Sequence, residues 1–169
     1  MKKILLLTAD LFDERELIYP YYRVQEAGFE AEVAATEAKA YKSKAGMSFK
    51  ADKAFKDISA DDYAGLIIPG GFAPDKIRTD EDAINLVKAF HEADKPIAMI
   101  CHAGWVGISA GILKDKKTTS VKAISDDMKN AGANWVDEEV VVDGNLITSR
   151  TPADLPVFME AFLKSLDQD

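Results

Sequence analysis

The chain has 169 residues, 47% of them hydrophobic and 30% charged, with ten glycines and six prolines, which is enough for one domain with a full core and no covalent staples. Its formal net charge is −8 and no basic cluster interrupts it; this argues against nucleic acid or an anionic membrane as the main partner, because phosphate-rich surfaces are held by grouped Lys and Arg. A single cysteine, Cys101, and two histidines exclude an internal disulfide and a thiolate zinc cage.

The first apolar run, residues 4–7, gives way at once to Asp10, Asp13 and Glu14, too short for a signal segment. No stretch approaches a membrane span. A soluble, cytoplasmic protein is the expectation. Residues 3–8 read as a compact strand, and 14–27 as a helix stopped by Gly28. A second strand covers 29–35. Residues 41–55 read as short strands around turns at Gly46 and Ala51-Asp52. Another buried strand, 63–68, ends at Pro69-Gly70-Gly71. The spacing over 80–93 predicts a core-facing helix with Ile84, Val87 and His91 on one stripe and Ala83, Leu86 and Phe90 beside it. Residues 97–100 form a strand, and a helix opens after Cys101. Residues 126–131 read as a short helix ended by Gly132. Segments 140–142 and 146–148 flank Asp143-Gly144-Asn145 as a hairpin. The last helix is expected to open with Thr151 as N-cap and Pro152 in first position, with Leu155, Phe158, Met159, Phe162 and Leu166 facing inward.

Buried strands alternating with helices predict an α/β fold: a doubly wound, mostly parallel sheet sandwiched by helices, flavodoxin-like or Rossmann-like, with a small hairpin near the C-terminus. Sites in such folds gather at the carboxyl ends of the strands. Three polar segments fall there: Asp10 to Glu16, Pro69 to Asp75, and Cys101-His102. A lone cysteine is by itself most simply a small buried hydrophobe. At a strand-to-helix elbow, however, the positive end of the helix favours the thiolate, the reactive form. Gly70 and Gly71 supply N–H groups with no side chain in the way. The Gly71 N–H and one at the Cys101-His102 junction could form an oxyanion hole, or the glycines could serve only a tight turn. His91 reads as a satisfied helix residue, and Trp105 as a pocket wall or core filler.

These segments together resemble the ThiJ/PfpI superfamily, in the branch around the intracellular peptidase PfpI. The residues that carry the likeness are Leu7-Thr8-Ala9 with Glu16-Leu17-Ile18-Tyr19-Pro20, then Leu66-Ile67-Ile68-Pro69-Gly70-Gly71 with Ala73-Pro74-Asp75. They continue in Pro96-Ile97-Ala98-Met99-Ile100-Cys101-His102, Asp126-Asp127-Met128, Asn130-Ala131-Gly132-Ala133 and Thr148-Ser149-Arg150-Thr151-Pro152-Ala153-Asp154-Leu155. The likeness covers essentially the whole chain, so residues 1–169 are expected to form a single domain of this type.

The resemblance implies Cys101 as nucleophile and His102 as its base, with the histidine oriented by an acid from a neighbouring subunit. That acid matches Asp75, which could equally be a surface turn acid after Pro74. Glu16 matches a protonated acid that hydrogen-bonds to sulfur; a carboxyl forced close to a thiolate should have its pKa raised. Asp13, three residues earlier and expected on the same helical face, matches a second acidic position of the branch. Charge favourable to a helix start is the alternative for that pair, although it does not explain Glu16. Three departures mark the chain: Ala103-Gly104 stands where relatives commonly have Gly-Pro, Met99 where they have a small residue, and Val121 where the archetypal peptidase has tyrosine.

What the resemblance implies is a cysteine-dependent hydrolase or lyase with peptidase, glyoxalase-type or deglycase activity on small carbonyl or short peptide substrates. It would need no cofactor and no metal, and would work as a homo-oligomer, dimer or hexamer, with Asp75 acting in trans. The alternative is a non-enzymatic oxidative-stress sensor or chaperone acting through Cys101 oxidation to sulfinic acid, stabilised by Glu16. A glutamine amidotransferase domain is excluded because no histidine follows His102. A dinucleotide-binding domain is disfavoured because no Gly-x-Gly-x-x-Gly follows the first strand.

Overall fold

The computed structural model describes residues 1–167. In chain order the elements are β1 (Lys3–Leu7), α1 (Glu14–Glu26), β2 (Glu30–Ala35), β3 (Ala40–Lys42), β4 (Ser48–Lys50), β5 (Lys53–Ala54), β6 (Gly65–Ile68), α2 (Ala73–Ile77) and α3 (Glu81–Glu92). There follow β7 (Ile97–Ile100), α4 (Gly104–Ala110), β8 (Lys117–Thr118), α5 (Ser125–Asn130), β9 (Asn134–Trp135), β10 (Val140–Asp143), β11 (Leu146–Ser149) and α6 (Leu155–Leu166). Seven strands form the main sheet in the order β10-β11-β7-β6-β1-β2-β5. Every pairing in it is parallel except the β10–β11 hairpin. This is the α/β, flavodoxin-like class.

The physical logic is direct. Strands β6, β7 and β11 are buried at every residue, as a sheet covered on both faces requires, so they read as continuous runs rather than alternating ones. Helix α3 turns Ala83, Leu86, Val87 and Phe90 inward and α6 turns Phe158, Met159 and Phe162 inward. Gly65 lets α6 close on β6: a Cβ there would lie 2.9 Å from the Phe162 ring. Because β2 lies on one side of β1 and β6 on the other, the chain reverses direction across the sheet between β1 and β6. The loops leaving those two strands therefore diverge and open a crevice at their carboxyl ends.

Several local expectations are corrected. The last helix proper begins at Leu155, after a 3-10 turn over Pro152–Asp154, and Thr151 makes no side-chain cap. Asp154 instead accepts the Arg150 backbone N–H and is paired with the Arg150 guanidinium. Residues 60–62 form a 3-10 turn, so β6 starts two residues later than its apolar run suggests. Asp75, which could be a turn acid after Pro74, lies in helix α2, and β8 pairs with β9 in a small separate parallel sheet. Asp13 does not share a helical face with Glu16; it is the N-cap of α1, accepting the backbone N–H groups of Arg15 and Glu16.

Candidate active site

Cys101 sits where β7 ends and a single 3-10 turn, Cys101–Ala103, leads into α4. Its φ is 62°, the left-handed region that a residue with a Cβ enters at a cost of about 1–2 kcal/mol. The packing around the side chain holds it in this strained conformation. The turn folds the neighbouring imidazole back: Cys101 Sγ and His102 Nδ1 are 3.3 Å apart. The His102 ring lies between Trp105, at 5.1 Å between centroids, and the exposed Phe72, at 6.5 Å. Among the described residues Cys101 is its only hydrogen-bonding partner.

Glu16, in the first turn of α1, is fully buried. Its Oε1 accepts the Gly70 N–H at 2.9 Å, while its Oε2, also sealed from water, has no partner. Gly70 is where backbone, acid and thiol converge. A Cβ there would stand 2.6 Å from Glu16 Oε1 and 2.8 Å from Cys101 Cβ, so only glycine lets the three approach. Gly71 has φ 78°, and a Cβ on it would meet the Asp13 nitrogen at 2.4 Å. This contact belongs to an antiparallel bridge with Phe12, which pins the β1–α1 loop against the β6 loop.

The electrostatics correct one expectation. Burial pushes the Cys101 thiol up to about 12, with the Glu16 charge adding to it, while hydrogen bonds from the His102 and Gly71 backbone N–H groups act the other way. The start of α4 therefore does not by itself hold a thiolate; desolvation outweighs it. Burial, and then the Asp13 charge, raises Glu16 to about 7. Burial also lowers His102, helped by the Lys44 cation, so the imidazole is neutral and able to accept a proton. Asp13 feels a raising effect from burial, but its bonds to Arg15 and Lys44 outweigh it and hold the carboxylate below its usual range.

The structure thus brings Cys101, His102, Glu16, Gly70 and Gly71 together, with Asp13 behind Glu16. Asp75 lies apart, exposed in the first turn of α2. Ala103 is buried in the elbow, and Trp105 forms a half-buried wall. Met99 is accommodated because its sulfur lies where a Cβ on Gly107 would come within 2.9 Å. Val121 donates its backbone N–H to the Cys101 carbonyl at 3.2 Å, so the position braces the elbow through main chain rather than through a phenol. His91 is not satisfied as expected: its Nδ1 is buried without a partner. Sequence reasoning missed Lys44, whose Nζ lies 3.1 Å from Asp13 Oδ2. Nothing local marks a lysine at a hairpin turn as a neighbour of α1.

The model of the DJ-1/PfpI family matches residues 2–165. The deglycase PfpI of Pyrococcus furiosus is 45% identical over 164 residues, covering 97% of this chain and 99% of that protein. A two-domain protein of Anabaena variabilis, with DJ-1/ThiJ/PfpI-like and ferritin-like domains, superposes with TM-score 0.97 at 40% identity, over 99% of this chain and 48% of the other. Drosophila melanogaster DJ-1β superposes with TM-score 0.92 at 26% identity, covering 99% of this chain and 91% of the other. The chain belongs to the DJ-1/PfpI family. Its relatives' names support a PfpI-type cysteine enzyme, and no helix among the described residues is long and apolar enough to cross a membrane.

Proposed function

We propose that this chain is a cytoplasmic, cysteine-dependent hydrolase or lyase for small carbonyl or acyl compounds, with deglycase, glyoxalase-type or peptidase activity. The observation that carries the reading is the 3.3 Å approach of Cys101 Sγ to His102 Nδ1, in a crevice where the buried Glu16 keeps one oxygen unpartnered. The resting thiol is neutral, so the nucleophile is generated as it reacts. His102 takes the thiol proton through Nδ1, the sulfur lone pair forms a bond to the substrate carbonyl carbon, and the C–O π pair moves onto oxygen. The Gly71 and His102 N–H groups, which hydrogen-bond the resting sulfur, are the donors proposed to hold that oxyanion. Protonated Glu16 supplies a proton to the new alkoxide, and His102 gives the proton it took to the departing group: the sulfur itself or, from an acyl substrate, an amine whose acyl group water then removes from Cys101. Imidazolium at His102 then needs a carboxylate, for which Asp75 of a second copy is proposed, in a dimer or a hexamer. The reaction as written needs no cofactor and no nucleic-acid partner.

Turnover of methylglyoxal and of a short peptide amide, by wild type and by Cys101→Ala, tests this. Loss of either activity in the variant supports the reading. Absence of both from the wild type, or their survival in the variant, overturns it. The orphaned Glu16 oxygen also favours a second reading, a peroxide sensor in which protonated Glu16 steadies a Cys101 sulfinate. A two-oxygen mass increment at low peroxide, without turnover of either substrate, would select that reading.

A further inference from the structure

Along α4 from the elbow lies a surface pocket of about 400 Å³ that includes Arg78, Trp105, Ile108, Asp127 and Asn130 in its wall. It shares Trp105 with the surroundings of His102, whose ring is 5.1 Å from the indole. Arg78, just past α2, is fixed in two ways. Its Nε donates to Ser109 Oγ at 2.9 Å, and its guanidinium lies 5.7 Å from the centroid of the Trp105 ring. Neither terminal amino group of Arg78 has a hydrogen-bond partner among the described residues. An arginine held through Nε and within cation–π reach of an aromatic ring has less freedom left to lose, and its free fork matches a carboxylate in two parallel hydrogen bonds.

The opposite sign is present as well. Asp127, on α5, accepts the Trp105 Nε1–H at 3.0 Å through Oδ2, which leaves Oδ1 for another donor. One fixed cation and one fixed anion give a pocket with no formal charge of its own, suited to a ligand that is itself a zwitterion. Ile108 and Ala131 add an apolar floor.

The geometry points to this pocket as a recognition subsite for a ligand bearing an α-ammonium and an α-carboxylate, that is, a free amino acid or an adduct built on one. Arg78 takes the carboxylate, Asp127 the ammonium, and Ile108 packs against an apolar side chain. This rests on the proposed function only in that Trp105 joins the pocket to the His102 ring; binding itself is independent of catalysis.

The test uses L-leucine, N-acetyl-L-leucine and L-leucinamide as probes of the whole protein, read by the two indole N–H resonances. Trp105 lines the pocket, whereas Trp135 does not line it, donates to Ser120 Oγ and serves as the internal control. L-Leucine is expected to shift the Trp105 signal saturably. The other two should bind about tenfold more weakly, each lacking one charged contact. Arg78→Gln should erase the preference of leucine over leucinamide, and Asp127→Asn that of leucine over N-acetyl-leucine. Equal binding of all three probes, movement of Trp135 alone, or no movement would overturn the subsite. So would Arg78→Gln changing the sedimenting mass, which would make the pocket a contact between copies. Methylglyoxal turnover, measured in parallel on wild type and Cys101→Ala, separates failure of the subsite from failure of the catalytic reading.

Discussion

Glu16 accepts the Gly70 N–H at 2.9 Å through one carboxyl oxygen and buries the other with no partner. One backbone hydrogen bond compensates an ionised, fully buried carboxylate poorly, and burial together with the Asp13 charge raises its pKa to about 7. The sign follows. The folded state binds this proton more tightly than the unfolded chain, where the ordinary value is 4.5. The destabilisation is absent below that value, grows up to about 7, and is complete above it. A shift of this size corresponds to about 3 kcal/mol. Glu16→Gln keeps the acceptor for Gly70 and removes the ionisation. Its stability relative to wild type should therefore rise by about that amount between about pH 4 and pH 8, in denaturant titrations at both ends. A difference independent of pH would remove ionised Glu16 as a cost to the fold. The same variant should lose most turnover, since its amide cannot supply the proton.

The left-handed backbone at Cys101, with φ 62°, yields a second expectation. Cys101→Ala keeps the Cβ and hence the strain, whereas Cys101→Gly relieves it. The glycine variant should be the more stable of the two by about 1 kcal/mol, about 3 °C in melting temperature for a chain of this size. Both should be inactive. If alanine is the more stable variant, the elbow stores no strain and the nucleophile is held by packing alone.

How much of this was legible beforehand varies with how local each cause is. Strand β7 and the elbow could be read because Ile97–Ile100 is uniformly apolar and Cys101-His102 ends it abruptly. The glycines at 70 and 71 stood out for a similar reason: they follow a strand at a carboxyl edge. The start of α6 misled because Thr151-Pro152 imitates a cap, while Asp154 was engaged by Arg150, one turn earlier. Asp13 reads as a helix residue because spacing alone cannot separate an N-cap from a first turn. Lys44 and Arg78 were invisible as site residues. The tertiary fold alone carries the β3–β4 turn to Asp13, and the end of α2 to Trp105. The thiol's raised pKa escaped for another reason: the field of the helix end is local, but desolvation is the sum of everything packed around the sulfur.

Lys44 gives a third expectation. Its cation lies 3.1 Å from Asp13 Oδ2 and, after burial, is the second cause lowering the His102 pKa. Lys44→Met should raise the His102 pKa toward its ordinary value without reaching it, because burial remains. The chain has two histidines, so a proton NMR titration assigned with His91→Gln reads the shift directly. The acidic limb of the pH–activity profile should move to higher pH by the same amount, since protonated His102 cannot accept the thiol proton. An unchanged or lowered pKa would show that Lys44 serves only to hold Asp13.

The last expectation concerns the partner His102 lacks. Within one chain its ring bonds to Cys101 alone among the described residues, while Asp75 points to solvent from α2. An imidazolium formed beside apolar and aromatic walls is costly without a carboxylate, so the proposed chemistry needs one from elsewhere. The Phe72 ring, 6.5 Å from His102, is exposed, which leaves that side of the imidazole without a covering element of its own chain. If Asp75 crosses between copies, Asp75→Asn and Cys101→Ala chains are each inactive alone. In a dimer with two-fold symmetry, chains refolded together in equal amounts regain about a quarter of the wild-type sites, because a mixed pair holds one intact thiol facing one intact acid. Activity of the mixture equal to the sum of its parents would place the orienting acid elsewhere, or show that His102 works without one.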